Sequence, residues 1–327
     1  MAADPSGSMS ALTRLGVDPA TAQGAAKSDQ QQQTSDAFGF KWARRESYES
    51  PAFQEAIREF LVQRYCGGDA SVVGQWLSGG GKLILDAGCG AGNAGMLLFG
   101  PHLANNDYLG VDISEAADVA RARFHEAGLR GDFLRADLTK LPIPDQSVDL
   151  AFSEGVLHHT DDTFDALTAL TKKVKPGGRV LFYVYAKKAP VREFSDDHIR
   201  QHLAGMTDEQ AWDALLPLTR LGAALGRLNV ELDVPEDIPY LGIRKGQIDL
   251  QRFVYWNIFK LYYRPEFSET ESNHVNFDWY RPRNCHRHTV EEVRGWCATL
   301  GLTIERLDVQ ESGITVVSQT SAGVVKS

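Results

Sequence analysis

Three glycines at alternate positions, Gly88, Gly90 and Gly92, follow an apolar run that ends in Asp86. Further along stand Asp112, Asp137, Glu154, His158 and His159, each placed where an apolar run ends or just beyond. Glycine at this spacing lets bare backbone approach a ligand, because the turn needs positive φ and no side chain in the way. Asp86 would face that ligand. Asp112 lies 24 residues after Gly88, a distance at which an acid accepts hydrogen bonds from ribose hydroxyls; Ser114 beside it also reads as a helix cap. Asp137 would sit beside an adenine ring, where a carboxylate can accept from the exocyclic amine. Glu154, His158 and His159 are the groups that could move a proton near neutral pH. The spacing is Gly-x-Gly-x-Gly rather than the Gly-x-Gly-x-x-Gly of dinucleotide binders, and no Lys-Ser or Lys-Thr follows. A nicotinamide site and a nucleoside-triphosphate loop are therefore disfavoured.

The elements that must position these residues alternate. Strands are expected at 82–87, 107–112, 132–136, 148–153 and 179–185, with helices at 114–127 and 162–174 between them. That rhythm predicts an α/β fold with a doubly wound parallel sheet whose ligands sit beyond the carboxyl ends of the strands. A helix over 50–65 would bury Phe53, Ile57, Phe60 and Leu61. Residues 1–35 lack apolar periodicity and read as a flexible tail. Core sequence resumes at 36 and runs to 185. Residues 186–285 break the rhythm with helical stretches near 196–204, 207–227 and 248–263 and no strand alternation. A helix near 289–300 and strands near 302–309 and 312–318 then return. The middle block reads as a helical insertion after the fifth strand, with the core completed by 286–327.

The chain has 327 residues, 43% hydrophobic, and a formal net charge of −9. That balance argues against a broad nucleic-acid footprint. The four cysteines, Cys66, Cys89, Cys285 and Cys297, show no C-x-x-C spacing, so neither structural zinc nor a disulfide framework is expected. No stretch is long and apolar enough to span a bilayer and no secretion signal is evident, so a cytoplasmic protein without membrane partners is expected.

Four segments together resemble a class I S-adenosylmethionine-dependent methyltransferase, near the ubiquinone-biosynthesis-like branch: LILDAGCGAGN (83–93), GVDIS (110–114), ADLTKLPIPDQSVDLAFSEGVLHH (136–159) and KPGG (175–178). The resemblance implies a Rossmann-like sheet of seven strands with an antiparallel last strand. It implies S-adenosyl-L-methionine as cofactor and S-adenosyl-L-homocysteine as product. Asp86 and the loop Gly88, Cys89, Gly90, Gly92 with Asn93 would hold the methionine portion. Asp112 and Ile113 would hold the ribose, and Asp137 and Leu138 the adenine. Glu154 would face the sulfonium and the acceptor, and an N-terminal helix carrying Trp42 or Tyr48 would close the site. His158 and His159 belong to a stretch frequent in this branch, which also suits a structural role.

The insertion would choose the acceptor. Eleven aromatics lie from Tyr240 to Tyr280; helix packing accounts for most. The segment His274–His288 reads instead as a loop that sets polar groups between aromatics, as a small-molecule pocket requires. Trp256, His274, Asn276, Asp278, Trp279, Tyr280 and Arg283 are the expected acceptor-binding residues. Arg281, Arg283 and Arg287 could hold a carboxylate or phosphate. His274, Asp278, His286 and His288 match no standard metal spacing, and no metal is expected. The reading is methyl transfer to carbon, oxygen or nitrogen of a small molecule, with a homodimer through the amphipathic insertion as an added expectation. RNA or protein methylation, and a non-catalytic protein that kept the cofactor fold, are the competing readings.

Overall fold

A computed structural model describes residues 10–18 and 28–322. Its centre is a seven-stranded sheet built from β1 (Leu83–Ala87), β2 (Asp107–Asp112), β3 (Asp132–Arg135), β4 (Val148–Glu154), β5 (Val174–Tyr185), β8 (Leu302–Val309) and β9 (Gly313–Thr320), in the order β3-β2-β1-β4-β5-β9-β8. The first five strands are parallel, and β9 runs antiparallel to both β5 and β8. β1 is buried along its whole length, because alternate residues feed two cores. Leu85 and Ala87 join Leu109, Val111 and Phe182 on one face; Ile84 joins Tyr108, Phe133, Phe152 and Leu181 on the other. Helix α7 (Thr163–Lys173) packs on the first face, and α3 (Pro51–Cys66) and α6 (Ala116–Glu126) on the second. Strand order reverses between β1 and β4, so the crevice beyond their carboxyl ends is where such a sheet binds its ligand.

The expected tail is corrected in part. Residues 1–9 and 19–27 lie outside the described residues, but α1 covers Ala11–Arg14 and α2 covers Asp29–Ala43. Ser28 caps α2 by accepting from Gln31 N at 3.0 Å. The helix has no apolar stripe because several polar residues on it are buried against polar partners: Gln31, Thr34, Ser35 and Lys41 are all inside.

The insertion leaves the core after Tyr185 and returns beside it. His288 N donates to Tyr185 O at 2.9 Å and Lys187 N to His288 O at 2.9 Å, so one short bridge clamps both ends. Between them lie α8 (Pro190–Leu203), α9 (Asp208–Leu228), α10 (Leu250–Asn257) and α11 (Glu269–Tyr280). A hairpin of β6 (Glu231–Val234) and β7 (Gly246–Asp249), which the alternation did not reveal, stands before α10. The helix expected over 248–263 ends at Asn257, and residues 258–267 fold back as a loop. Side chains staple that loop: Gln251 Nε2 donates to Leu261 O at 2.7 Å, and Asn276 Oδ1 accepts from Tyr262 N at 2.8 Å.

Residues 274–280, expected as loop, are helix α11. Ser268 and Glu271 form a reciprocal capping box at its start, a strong helix signal. The helix is buried on polar sides as well as apolar ones, which hides its period. Asn273 Oδ1 accepts from Thr219 Oγ1 of α9 at 2.7 Å, and Asn276 Nδ2 donates to the same hydroxyl at 2.9 Å. Asn276→Ala leaves Tyr262 N–H without its acceptor and takes one donor from Thr219 Oγ1, which keeps its bond to Asn273. The expected outcome is a loss of about 1–3 kcal/mol in urea unfolding; an unchanged midpoint would contradict this assignment.

Candidate active site

The glycine loop is tied to its neighbouring strand before any ligand arrives. Gly88 N and Cys89 N both donate to Val111 O, at 2.7 and 2.9 Å. Gly90 N donates to Asp112 Oδ2 at 2.9 Å, while Asp112 Oδ1 accepts from Ser114 N at 2.8 Å and from its hydroxyl at 2.6 Å. Asp112 therefore both caps the following turn and shapes the loop, and Oδ2 retains a lone pair for a further donor. Gly88 and Gly90 have φ of 85° and 51°. A Cβ at Gly90 would stand 2.6 Å from Trp42 Nε1, and one at Gly88 2.3 Å from Val156 Cγ1. Both glycines are thus required by close approach as well as by backbone angle.

Asp86 and Asp112 stand at the carboxyl ends of β1 and β2 and Asp137 just beyond that of β3, and all three line one cavity of about 740 Å³. Gly88, Cys89, Asn93, Ile113 and Leu138 line it too. Gly90 and Gly92 do not reach its wall: Trp42 covers Gly90, and Phe124 of α6 packs on Gly92, where a Cβ would meet it at 2.8 Å. Asp86 is buried and accepts from Tyr108 OH at 2.5 Å. Burial raises its carboxyl to about 7, against the lowering effect of the tyrosine. Asp137 caps the next turn, accepting from Thr139 N at 2.9 Å. Asn93 is held by Gln54 at 2.8 Å and Arg123 at 3.1 Å.

The three candidate proton-transfer residues part company. Glu154 lines the cavity at the end of β4, accepting from Tyr65 OH at 2.6 Å and pairing with Arg64 at 3.0 Å. Burial raises its carboxyl, and Arg64 and Tyr65 oppose that. His159 also lines the cavity. Its Nδ1 lies 2.6 Å from Asn284 O, an acceptor only, so Nδ1 carries the proton. Nε2 is then a lone pair, buried and without a protein partner. Burial lowers this imidazole to about 4, so it stands neutral. His158 is a correction: it does not line the cavity, and its ring is packed 3.8 Å from that of Tyr185 with neither nitrogen hydrogen-bonded. It fills core space.

Of the expected acceptor residues, Trp256, His274 and Asp278 line the cavity. Asn276, Trp279, Tyr280 and Arg283 do not, and each has a physical reason. Asn276 holds the loop described above. Trp279 Nε1 and Tyr280 OH donate to the buried Asp196, at 2.8 and 2.7 Å. Arg283 is exposed. Arg281 and Arg287 are also spent, on Asp208 and on Asp197 with Glu193. His274, Asp278, His286 and His288 are not gathered: they bond Ser47, Lys41 with Tyr185, Thr160 and Thr163 respectively. Among the described residues no three His, Cys, Asp or Glu side chains form a metal cluster.

Sequence reasoning missed several wall residues. Lys41 of α2 pairs with Asp278, whose other oxygen accepts from Tyr185 OH at 2.7 Å. Burial would raise the Asp278 carboxyl, but the Lys41 ammonium holds it well below the ordinary carboxylate range. Arg64 lies between the rings of Phe60 and Tyr183, 3.6 and 3.8 Å from their centroids. Lys260 faces the same cavity from the 258–267 loop. The aromatic neighbours of Lys41 in Phe-Gly-Phe-Lys-Trp were the one available signal. Of the two expected closing residues, Trp42 lines the cavity, and Tyr48 supports it by donating to Trp42 O at 2.8 Å.

Residues 85–182 match the methyltransferase domain family. A malonyl-[acyl-carrier protein] O-methyltransferase of Yersinia pestis is 30% identical over 182 residues, covering 55% of this chain and 59% of that protein. Phosphoethanolamine N-methyltransferase 3 of Arabidopsis thaliana is 31% identical over 143 residues, covering 42% and 28%. The chain thus spans less than two thirds of the length of these curated relatives. A magnesium protoporphyrin IX methyltransferase of Synechocystis, solved with bound SAH, is 16% identical, with a TM-score of 0.47 over 90% of this chain and 100% of that one. Residues 85–182 thus carry a methyltransferase domain, of the S-adenosylmethionine-dependent kind.

Asp112→Ala frees Gly90 N–H and the Ser114 donors at once. Loss of a charge-assisted hydrogen bond of this kind is worth about 1.5–3 kcal/mol, so S-adenosylhomocysteine should bind at least about tenfold more weakly. Calorimetric titration reads this, and unchanged affinity would remove Asp112 from the cofactor site.

Proposed function

We propose that the chain methylates a small molecule enclosed between the strand ends and the inserted lid. The observation that carries this is the single cavity of about 740 Å³, which runs from Asp86, Asp112 and Asp137 to the lid side chains Tyr255, Trp256 and Tyr262. Its size falls among those of small-molecule sites, and its wall is largely apolar with a few convergent polar groups. Helix α2 roofs it with Phe38, Lys41 and Trp42. That enclosure and the net charge of −9 favour a small acceptor over RNA. The named activities of the two relatives, on malonyl-[acyl-carrier protein] and phosphoethanolamine, fit the same class.

S-adenosylmethionine supplies a methyl group already activated on a sulfonium, so the protein's share is alignment and exclusion of water. In this reading Asp86 takes the cofactor's amino group and Asp112 its ribose. Asp137, Leu138 and Ile113 take the adenine. Three carboxylates on bare-backbone strand ends suit that donor set. Glu154, held by Arg64 and Tyr65, stands at the meeting of the two halves of the cavity. His159 lines the cavity beside it as a neutral imidazole and is the second candidate to take a proton from an oxygen, nitrogen or carbon acceptor.

Labelled S-adenosylmethionine offered with fractionated cell extract tests the reading: label is expected in the small-molecule fraction, and label confined to RNA or protein would overturn it. His159→Gln should lower turnover by about 10²–10⁴ and leave S-adenosylhomocysteine affinity unchanged. Asp86 gives the pH dependence. With its carboxyl near 7, it is neutral below that pH and an anion above it. Only the anion pairs with the cofactor's ammonium, so affinity should fall as pH drops through about 7 and be flat in Asp86→Asn. Titrations from pH 5.5 to 8.5 decide; a flat wild-type profile would separate Asp86 from the amine.

A further inference from the structure

The lid carries a buried cation, Lys260, without a counter-ion among the described residues. Lys260 is 6% exposed, and it lines the acceptor half of the cavity with Asp278, His274 and Tyr262. Its main chain is fixed at both ends: Lys260 N donates to Asp196 Oδ1 at 3.1 Å, and Lys260 O accepts from Tyr280 OH at 2.9 Å. Its ammonium has no hydrogen bond or ion pair among the described residues. The nearest feature is the face of Trp279, 5.1 Å from Nζ to the ring centroid.

The other wall cations have partners. Lys41 pairs with Asp278, Arg64 with Glu154 and Arg264 with Glu266, and Arg252 donates to Tyr263 O at 3.3 Å. Behind the wall, Arg192 pairs with Asp196. Lys188, 5.4 Å from the same tryptophan ring, gives its ammonium to the carbonyls of Glu311 and Ser312. A buried ammonium without a counter-ion is costly, and burial pushes that of Lys260 down to about 7, with Asp278 and Asp196 opposing and Arg192 assisting. A group held so by its backbone, in a wall of aromatics, is relieved by an anion entering the cavity.

We propose that the acceptor carries a carboxylate, which Lys260 binds as an anchor away from the strand-end carboxylates. This deepens the methyl-transfer reading and rests on it for the word acceptor; the anion site itself stands on Lys260. Binding energy gathered at such a remote anchor serves to orient the reacting atom.

The test uses 2-naphthoate and the same-shaped neutral 2-naphthamide as probes, titrated calorimetrically into the full chain saturated with S-adenosylhomocysteine. Saturation blocks the adenine pocket. Wild type should prefer naphthoate by at least tenfold. Lys260→Met should bind both probes alike, and Lys260→Arg should keep the preference. S-adenosylhomocysteine affinity, unchanged in both variants, shows that they fold. Equal binding of the probes by wild type, binding of neither, or a preference that survives in Lys260→Met would overturn the proposal. Failure of S-adenosylhomocysteine to bind wild type is a separate result: it would sink the methyl-transfer reading, and titration of the unsaturated protein would still decide the anion site.

Discussion

A single buried carboxylate holds the acceptor half of this molecule in place. Asp196, on α8, is fully buried and accepts from Arg192 Nε at 2.5 Å, Trp279 Nε1 at 2.8 Å, Tyr280 OH at 2.7 Å and Lys260 N at 3.1 Å. Those donors come from α8, from α11 and from the loop that follows α10. No apolar contact could join three segments with that specificity of angle. A carboxylate so placed is tolerable only because every lone pair is used and one guanidinium cancels its charge. Removing it would leave Arg192 uncompensated, so the hub and its cation stand or fall together. The positions of Trp279, Lys260 and the wall beyond them follow from it.

The cofactor half is organised by a different logic. Its groups lie at strand ends in chain order, and each is fixed by neighbours close in the fold: Asp86 by Tyr108 on the adjacent strand, Asp112 by Ser114 and the loop it shapes. That is why this half was legible in the sequence. The apolar runs, the glycine spacing and the acids after each run all report local geometry, whereas the antiparallel final strand was implied by the family resemblance alone. Even here the covering of Gly90 and Gly92 was not legible. Trp42 and Phe124 come from distant helices to cover them, and nothing in the loop's own residues announces that.

The acceptor half was far less legible, for a physical reason. Helix α11 is buried on both polar and apolar sides, so it has no stripe to give its period away. His274, Asn276 and Asp278 looked like ligand groups because polar residues among aromatics usually are. His274 and Asp278 line the cavity; Asn276, with Asn273, satisfies Thr219 and Tyr262. Likewise Gln31 and Thr34 made the first half of α2 look like tail when they are in fact inward-facing contacts. Lys41 pairs with Asp278 across 237 positions of sequence. Partners so far apart leave no mark in a local window, whereas a capping box such as Ser268–Glu271 does, and it was the one signal for α11 that the pattern of residues contained.

These two logics meet at Glu154 and His159. Glu154 ends a sheet strand, yet its partners Arg64 and Tyr65 belong to α3. His159 follows the same strand, yet its tautomer is set by Asn284, at the return point of the insertion. A shift of the insertion would move Asn284 O and with it the proton on Nδ1, since that carbonyl is what keeps Nε2 free as a lone pair. The clamp of His288 on Tyr185 and Lys187 prevents such a shift by fixing the exit and re-entry of the insertion to one strand end. The lid's inner wall, where Lys260 and the aromatics lie, is thus kept apart by a two-hydrogen-bond bridge from the contact that sets the His159 tautomer.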